Sequence, residues 1–346
     1  MVCTAGSSST NQVSIAVTRP PTAPGRGYGK AWLLLLALCA SAVAPVSAQD
    51  LDLQRPAAGE PITPIPPPPV QDPRQVALGD RLFHDPRLSH DNTRSCASCH
   101  DTRTNGASAH AHDLTPNGKE IALNTPTIFN AALNFRLDWE GDIRSLQSQC
   151  EDTLLSPPRM ATSFEEVLAK LRADPAIVRQ FKEAYGREPD RAGLVDAIVT
   201  YERSLLTPDS PFDRWLKGDA GAIAQTALTG YRLFKSLGCI SCHQGVNVGG
   251  NLYERHGIFH PLASPQPELL RVPSLRNVAT TPPYFHDGSV ATLSHAVKAM
   301  GYAQLDVVLT DQQITAIVAF LDSLTGDYAG NPVTRPAGEP HAEKDR

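Results

Sequence analysis

Cys96-Ala97-Ser98-Cys99-His100 and Cys239-Ile240-Ser241-Cys242-His243 are the two stretches that decide how this chain folds. Each is a C-x-x-C-H motif. Two thiols at this spacing can each bond one vinyl-derived carbon of a porphyrin, and the next residue then points its imidazole at the iron. Two short disulfides or a split zinc site would also pair cysteines. A redox dithiol does not require histidine in both copies, and zinc does not require the flanking helix that both copies share. The motifs predict two covalently attached c-type haems, at Cys96, Cys99 and His100 and at Cys239, Cys242 and His243.

Working outward, Gly79-Asp80-Arg81-Leu82-Phe83 precedes the first motif and Gly230-Tyr231-Arg232-Leu233-Phe234 precedes the second. Each reads as a short amphipathic helix leading into its cysteines. Each half also closes on a helix of the right period. Leu194, Ile198, Tyr201 and Leu205 share a face over residues 191–206, and Ile314, Ile317, Val318 and Leu321 share one over residues 311–324. Thr310 with Gln313 and Ser163 with Glu166 read as capping boxes. Sustained period-two alternation is almost absent, so strands should be few.

The expectation is a mostly α fold of two cytochrome c-like domains, residues 73–207 and 208–326, each around one covalently bound haem. Residues 49–72, with Pro66-Pro67-Pro68-Pro69, read as an extended linker, and residues 327–346 as a loose tail. The chain has 346 residues and only 6% aromatic residues, so a porphyrin should fill much of each core.

Arg26 and Lys30 precede an apolar run over residues 31–44, and Val46-Ser47-Ala48 supplies small residues for cleavage. Residues 1–48 therefore read as a secretory signal peptide, with an uncleaved anchor as the alternative and a start codon further downstream also open. Loss of that segment removes three basic residues and no acid. It leaves 28 basic against 36 acidic residues, a net charge of −8. Nucleic acid is excluded as a partner on this ground, and a basic or neutral redox protein that docks briefly fits better. Of seven cysteines, Cys3 and Cys39 would leave with the signal, and Cys150 is left over as a small buried hydrophobe.

A haem iron also needs a decision at its sixth position. Methionine there gives a closed electron-transfer site, and an empty position gives a site that can bind peroxide. The chain holds Met1, Met160 and Met300. Met300 follows the second motif by 57 residues, on a helix expected from Thr292, and is the candidate distal ligand; a core methionine is the alternative.

Several ordered segments resemble the bacterial di-haem cytochrome c peroxidases and their relative, the methylamine dehydrogenase maturation enzyme. They are residues 82–88 (LFHDPRL), 95–100 (SCASCH), 124–130 (NTPTIFN), 207–219 (TPDSPFDRWLKGD), 238–250 (GCISCHQGVNVGG), 272–278 (VPSLRNV), 283–288 (PYFHDG) and 296–301 (AVKAMG). The resemblance covers nearly all of residues 73–326. It implies reduction of hydrogen peroxide to water at the N-terminal haem in the periplasm, with electrons entering at the C-terminal haem from a small cytochrome c or a blue copper protein. It also implies that His100 and His243 are proximal ligands and Met300 the distal one. Trp139 then matches the tryptophan between the haems and Gln149 the peroxide-pocket glutamine. Asn124, Thr281 and Pro283 match residues around an inter-domain calcium ion, a hard cation held mostly by carbonyl oxygens. A homodimer is common in the family.

From the residues alone, Trp139 is equally well an interface packing residue. His286 reads as a hydrogen-bond partner of a haem propionate, and His84, His90, His256 and His260 as surface or loop residues. Two positions depart from the family pattern. The histidine that closes the peroxidatic iron in many relatives is replaced by Pro116, with His110 and His112 nearby at another spacing. The acid–base glutamate is replaced by Arg159, which cannot shuttle a proton but can stabilise charge on a departing oxygen. Glu151 and Asp152 are the substitute acids. A protein-modifying oxidase like the maturation enzyme is the second reading; there a tyrosine takes the place of Met300, and Tyr302 lies two residues on. A plain electron carrier with both irons closed is the third.

Overall fold

Nine α-helices carry the described part of the chain, residues 55–336, in the computed structural model. The expected signal peptide lies outside the described residues. In the first half these are α1 (Pro73–Phe83), α2 (Leu146–Leu155), α3 (Phe164–Arg172), α4 (Pro175–Tyr185) and α5 (Arg191–Ser204). In the second they are α6 (Pro211–Leu216), α7 (Gln225–Ser236), α8 (Leu293–Leu305) and α9 (Asp311–Asp322). Strand is confined to two small antiparallel pairs, β1 (Tyr253–Arg255) with β2 (Leu269–Arg271) and β3 (Asp327–Tyr328) with β4 (Asn331–Pro332). The expectation of a mostly helical cytochrome c fold with little strand is met.

Local chemistry starts the helices. α1, α4 and α6 each open with proline behind a capping side chain, Asp72, Asp174 and Ser210. Thr310 and Gln313 form the reciprocal box expected at α9. Ser163 caps α3 through the Glu166 N–H, but the Glu166 carboxylate turns away to Lys170 (2.8 Å) and His90 (3.0 Å).

The repeated Gly-x-x-Leu-Phe segment does the same packing job twice. A Cβ on Gly79 of α1 would collide with the Ala197 carbonyl of α5, and one on Gly230 of α7 would collide with the Ala316 carbonyl of α9. Each helix that leads into a haem motif thus crosses its closing helix backbone to backbone, which only glycine permits. The cysteines are delivered from the far end of that crossing.

Two separate hydrophobic cores result. The first gathers Leu82, Phe83, Phe129, Leu154, Leu171, Phe181 and Ile198 with Cys150, Met160 and Val333. The second gathers Ile62, Phe212, Trp215, Tyr231, Phe234 and Phe320. Aromatics are concentrated there: Phe212 lies 5.3 Å from Trp215, 4.8 Å from Tyr231 and 5.1 Å from Phe320, ring centre to ring centre. The low aromatic content of the whole chain hides this cluster.

Both ends of the described chain differ from the expected linker and tail. Residues 55–72 are extended, but Ile62 and Ile65 are buried and Ile62 bridges to Gly245. Glu60 binds Tyr231 and Lys235 of α7. Arg276 and Asp213 form a fully buried ion pair at 2.8 Å, and Arg276 also donates to the Thr63 and Val246 carbonyls, both at 2.8 Å. At the other end, Val333 enters the first core, Tyr328 packs on Phe129 with ring centres 5.0 Å apart, and Arg335 donates to the Ala279 carbonyl. Each end is therefore docked: Ile62 and Glu60 on the second half, Val333 and Tyr328 on the first, with Arg335 reaching back to the second.

A buried polar network joins the halves. Asn130 and Asn277 both have left-handed backbones, and each opens a 3-10 turn. The Asn130 side chain accepts from the Thr207 N–H (2.9 Å), and Asn277 Oδ1 accepts from the Gly326 N–H (3.0 Å). Asn247, in the loop after the second motif, donates to the Asn130 carbonyl (3.1 Å) and to Asn134 Oδ1 (2.7 Å).

Candidate haem sites

The two C-x-x-C-H motifs take one geometry. Cys96–Ser98 and Cys239–Ser241 are single 3-10 turns. The histidine N–H returns to the first cysteine carbonyl, His100 to Cys96 at 3.0 Å and His243 to Cys239 at 3.1 Å.

Each imidazole is then fixed by the loop that follows. His100 Nδ1 lies 3.1 Å from the Gly106 carbonyl and His243 Nδ1 lies 3.2 Å from the Val248 carbonyl. A carbonyl can only accept, so Nδ1 carries the proton and Nε2 presents a lone pair. Burial lowers the pKa of both rings, that of His243 to about 4, which keeps them neutral. A neutral imidazole held through Nδ1–H is what an iron needs. Burial also pushes Cys96 and Cys99 up to about 12 and Cys239 up to about 11, so these are not the low-pKa thiolates of a redox dithiol. All four thiols are unpaired, and among the described residues no group of three or more His, Cys, Asp or Glu side chains could hold a metal ion. The disulfide and zinc alternatives find no support, and the donor set fits a covalently bound haem at each motif.

Trp139 lies between the halves, 7% exposed. Its Nε1 donates to the Asn124 carbonyl (2.7 Å) in the first half, and its own carbonyl accepts from Arg271 N–H (2.8 Å) in the second. Its ring meets His286 edge-on at 6.3 Å, and His286 meets His256 at 4.7 Å. His286 is buried and its pKa lowered, first by burial and then by His256. His256, expected on the surface or in a loop, lies in the loop after β1 and is half-buried, with its Nδ1 enclosed and unbonded.

The residues expected around the peroxide pocket are partly brought together. Gln149 sits on α2 with Oε1 buried and without a partner, while its Nε2 reaches Thr153 at 3.4 Å. Arg159 is held by two carboxylates, Asp138 at 2.9 Å and Asp152 at 2.7 Å. Its charge is therefore largely compensated. Both substitute acids are engaged, Asp152 with Arg159 and Glu151 with Arg191 at 2.9 Å. Pro116 is exposed in a turn that the Thr115–Lys119 backbone bond closes. His112 Nδ1 is tied to the Ile121 carbonyl at 2.9 Å, and His110 is exposed.

Met300 is half-buried on α8, whose Ala296 and Val297 face the second core. Tyr302 is 46% exposed and lies flat on His260, ring centres 3.8 Å apart. It faces solvent rather than the core. Met160 is buried in the first core. Asn124 donates to the His110 carbonyl (2.9 Å) and its N–H meets the His286 carbonyl (2.7 Å), which brings it to the segment containing Thr281 and Pro283.

One acid escaped sequence reasoning. Glu202 of α5 is buried, its Oε2 has no partner, and burial raises its pKa to about 8 although Arg203 lowers it. Its field reaches Cys96 and Cys150. The available signal was an acid inside an otherwise apolar helix. Cys150 is buried and its thiol is pushed well above its usual range, as expected of an inert hydrophobe.

With this geometry established, similarity to known proteins has a definite meaning. The di-haem cytochrome c peroxidase family profile matches residues 73–221, and the cytochrome c profile matches residues 227–325. Cytochrome c peroxidase Ccp of Escherichia coli (strain K12) is 40% identical over 78% of this chain, which spans 62% of that protein's length. Cytochrome c551 peroxidase of Nitrosomonas europaea is 36% identical over 78% of this chain and 86% of its own. Among solved structures, a MauG-like protein associated with microbial copper homeostasis superposes with a TM-score of 0.66 at 26% identity, covering 76% of this chain and 94% of that one.

Proposed function

The chain belongs to the di-haem cytochrome c peroxidase family, and from that premise we propose that it reduces hydrogen peroxide to water with electrons from a small soluble redox protein. The overall change is H2O2 with two electrons and two protons giving two molecules of water. The observation that carries this reading is the pair of matched histidine turns with Trp139 hydrogen-bonded to both halves between them. The haems, when bound, supply the electron storage and the iron at which the O–O bond is cleaved.

The chain's own residues bind, orient and exclude. His100 and His243 are locked in one tautomer by the Gly106 and Val248 carbonyls. The free Oε1 of Gln149 accepts a hydrogen bond from peroxide and holds it at the first site. Arg159, braced by Asp138 and Asp152, holds guanidinium N–H donors beside that pocket without exchanging a proton. Met300 would hold the haem of the second half and favour its reduced state, which suits that haem to electron entry. A calcium ion held by Asn124 and by carbonyls near Thr281 and Pro283 would tie the halves together at the Trp139 loop.

The setting is the periplasm. No helix among the described residues is long and apolar enough to cross a membrane. The acidic balance favours a basic or neutral cytochrome c or blue copper donor. Oxidation of a partner protein, as in the maturation enzyme, is the second reading, favoured by Pro116 and disfavoured by the outward-facing Tyr302. The deciding experiment supplies the holoprotein with reduced small cytochrome c and peroxide. Two donors oxidised per peroxide consumed supports the peroxidase. Peroxide consumption with no donor oxidation defeats it.

A further inference from the structure

Arg271 ends β2 and is 5% exposed. Its N–H donates to the Trp139 carbonyl (2.8 Å) and its Nε to the Asp138 carbonyl (3.1 Å). Its Nη1 is enclosed and has no partner among the described residues. The neighbouring acid does not supply one, because the Asp138 carboxylate is turned to Arg159 at 2.9 Å. Tyr253 stands opposite Arg271 in the β1–β2 ladder, and its hydroxyl is committed to the Gly141 carbonyl at 2.5 Å. Burial lowers the guanidinium pKa while Asp138 and Tyr253 raise it, and a guanidinium stays charged in any case. A buried guanidinium with an open donor and no carboxylate bonded to it calls for an anion.

The place of Arg271 narrows which anion. The chain runs from Arg271 directly onto the second histidine loop. Gly250 donates to the Val272 carbonyl at 2.8 Å. A Cβ on Gly249 would meet the Pro273 carbonyl and lie 3.4 Å from His243 Nδ1. Arg271 thus sits between Trp139 and the proximal loop of the second haem site.

We propose that Arg271 Nη1 is a carboxylate-binding site, that it takes a carboxylate of the porphyrin held at Cys239, Cys242 and His243, and that this pair anchors the Asp138–Trp139 loop to that haem. Arg271 is then a positioning residue whose side chain binds haem and whose backbone binds Trp139. A free small carboxylate has the same chemistry, and the test separates the two sources. The inference rests on haem at the second motif, which a pyridine haemochrome count checks independently.

The experiment is a redox titration of the holoprotein and its Arg271→Gln and Arg271→Lys variants, followed by the spectrum of each haem across neutral pH. The wild-type potential of the C-terminal haem should be flat with pH. Arg271→Gln should lower its reduction equilibrium constant about tenfold, about 59 mV for one electron. It should also make the potential pH-dependent, because an unpaired buried carboxylate takes up a proton on reduction. Arg271→Lys, which keeps the charge, should recover most of the shift. An unchanged C-terminal potential in Arg271→Gln, or a shift confined to the N-terminal haem, overturns the proposal. A wild-type potential that moves as acetate is added would assign the site to a free anion and overturn the porphyrin assignment. Should the glutamine variant fail to load haem, infrared difference spectra of wild-type protein carrying 13C-carboxyl haem decide. A pH-independent, ion-paired carboxylate band supports the pair, and a solvated carboxylate band refutes it.

Discussion

Asn130 and Asn277 donate to the same acceptor, the hydroxyl oxygen of Thr207, at 2.8 and 3.0 Å, and all three side chains are buried. They sit at equivalent places in the two halves, each with a left-handed backbone before a 3-10 turn. One hydroxyl with two lone pairs thus holds the halves in register. Thr207→Val should strand two amide donors, at a cost of roughly 1–3 kcal/mol each. Thr207→Ser should recover most of that. Denaturant unfolding of the three proteins measures it, and equal stability of Val and Ser variants would show the hydroxyl to be idle.

Gly79→Ala and Gly230→Ala should each drive a methyl into a helix carbonyl and cost about 1–3 kcal/mol or more, as overpacking does. Because each glycine lies on the helix that delivers a haem motif, each variant should lose haem selectively from its own half. Haem content after purification and heat challenge reads this out.

Glu202 sets a pH dependence whose sign follows from its raised pKa. Below the ordinary carboxylate value of 4.5 the group is protonated both folded and unfolded, and its contribution to stability is complete. As pH rises from there to about 8, the unfolded chain ionises while the folded one does not, so stability falls. Glu202→Gln should flatten that slope and be the more stable protein on the alkaline side. Melting temperature against pH for the two proteins gives the answer, and parallel curves would contradict it.

Met300→Ala should open the second site and lower its potential, since the thioether favours the reduced iron. Donor-linked turnover should fall with it. A low-spin spectrum identical to the wild type would leave Met300 as a packing residue of α8.

The oxidised N-terminal haem should be open or hold only water. Pro116 offers no ligand, and His110 and His112 lie six and four residues before it, so a ligand from either needs a different loop path. Peroxide should then react without prior half-reduction. A purely low-spin N-terminal haem in the oxidised protein would reverse this expectation, and His110→Ala and His112→Ala would identify the closing residue.

What the sequence made legible was whatever is written within a few neighbouring residues. The C-x-x-C-H turns, the doubled Gly-x-x-Leu-Phe helix and the Thr310–Gln313 box are local, and the structure forms each of them. Long-range partners were not legible. Thr207 lies 77 residues from Asn130 and 70 from Asn277, and no spacing rule connects them. Composition made residues 55–72 look like a spacer, and only the isolated Ile62 and Ile65 hinted at burial. Arg159 read as a lone charge at a reactive position, whereas its carboxylate partners come from Asp138 and Asp152. The enclosed His256 and Glu202 looked ordinary because burial of a polar side chain depends on what folds over it.

The crossed docking of the chain ends bears on how the protein could be cut. A fragment holding residues 73–206 would lack Val333 and Tyr328 and expose the Phe129 side of its core. A fragment beginning at residue 208 would lose Ile62 and leave Lys235 and Tyr231 without Glu60, and Arg276 without the Thr63 carbonyl. Neither piece is a closed body, although each owns a complete haem motif. The protein is thus two haem sites by chemistry and one indivisible unit by topology, and a single-haem version would need its borrowed edges rebuilt.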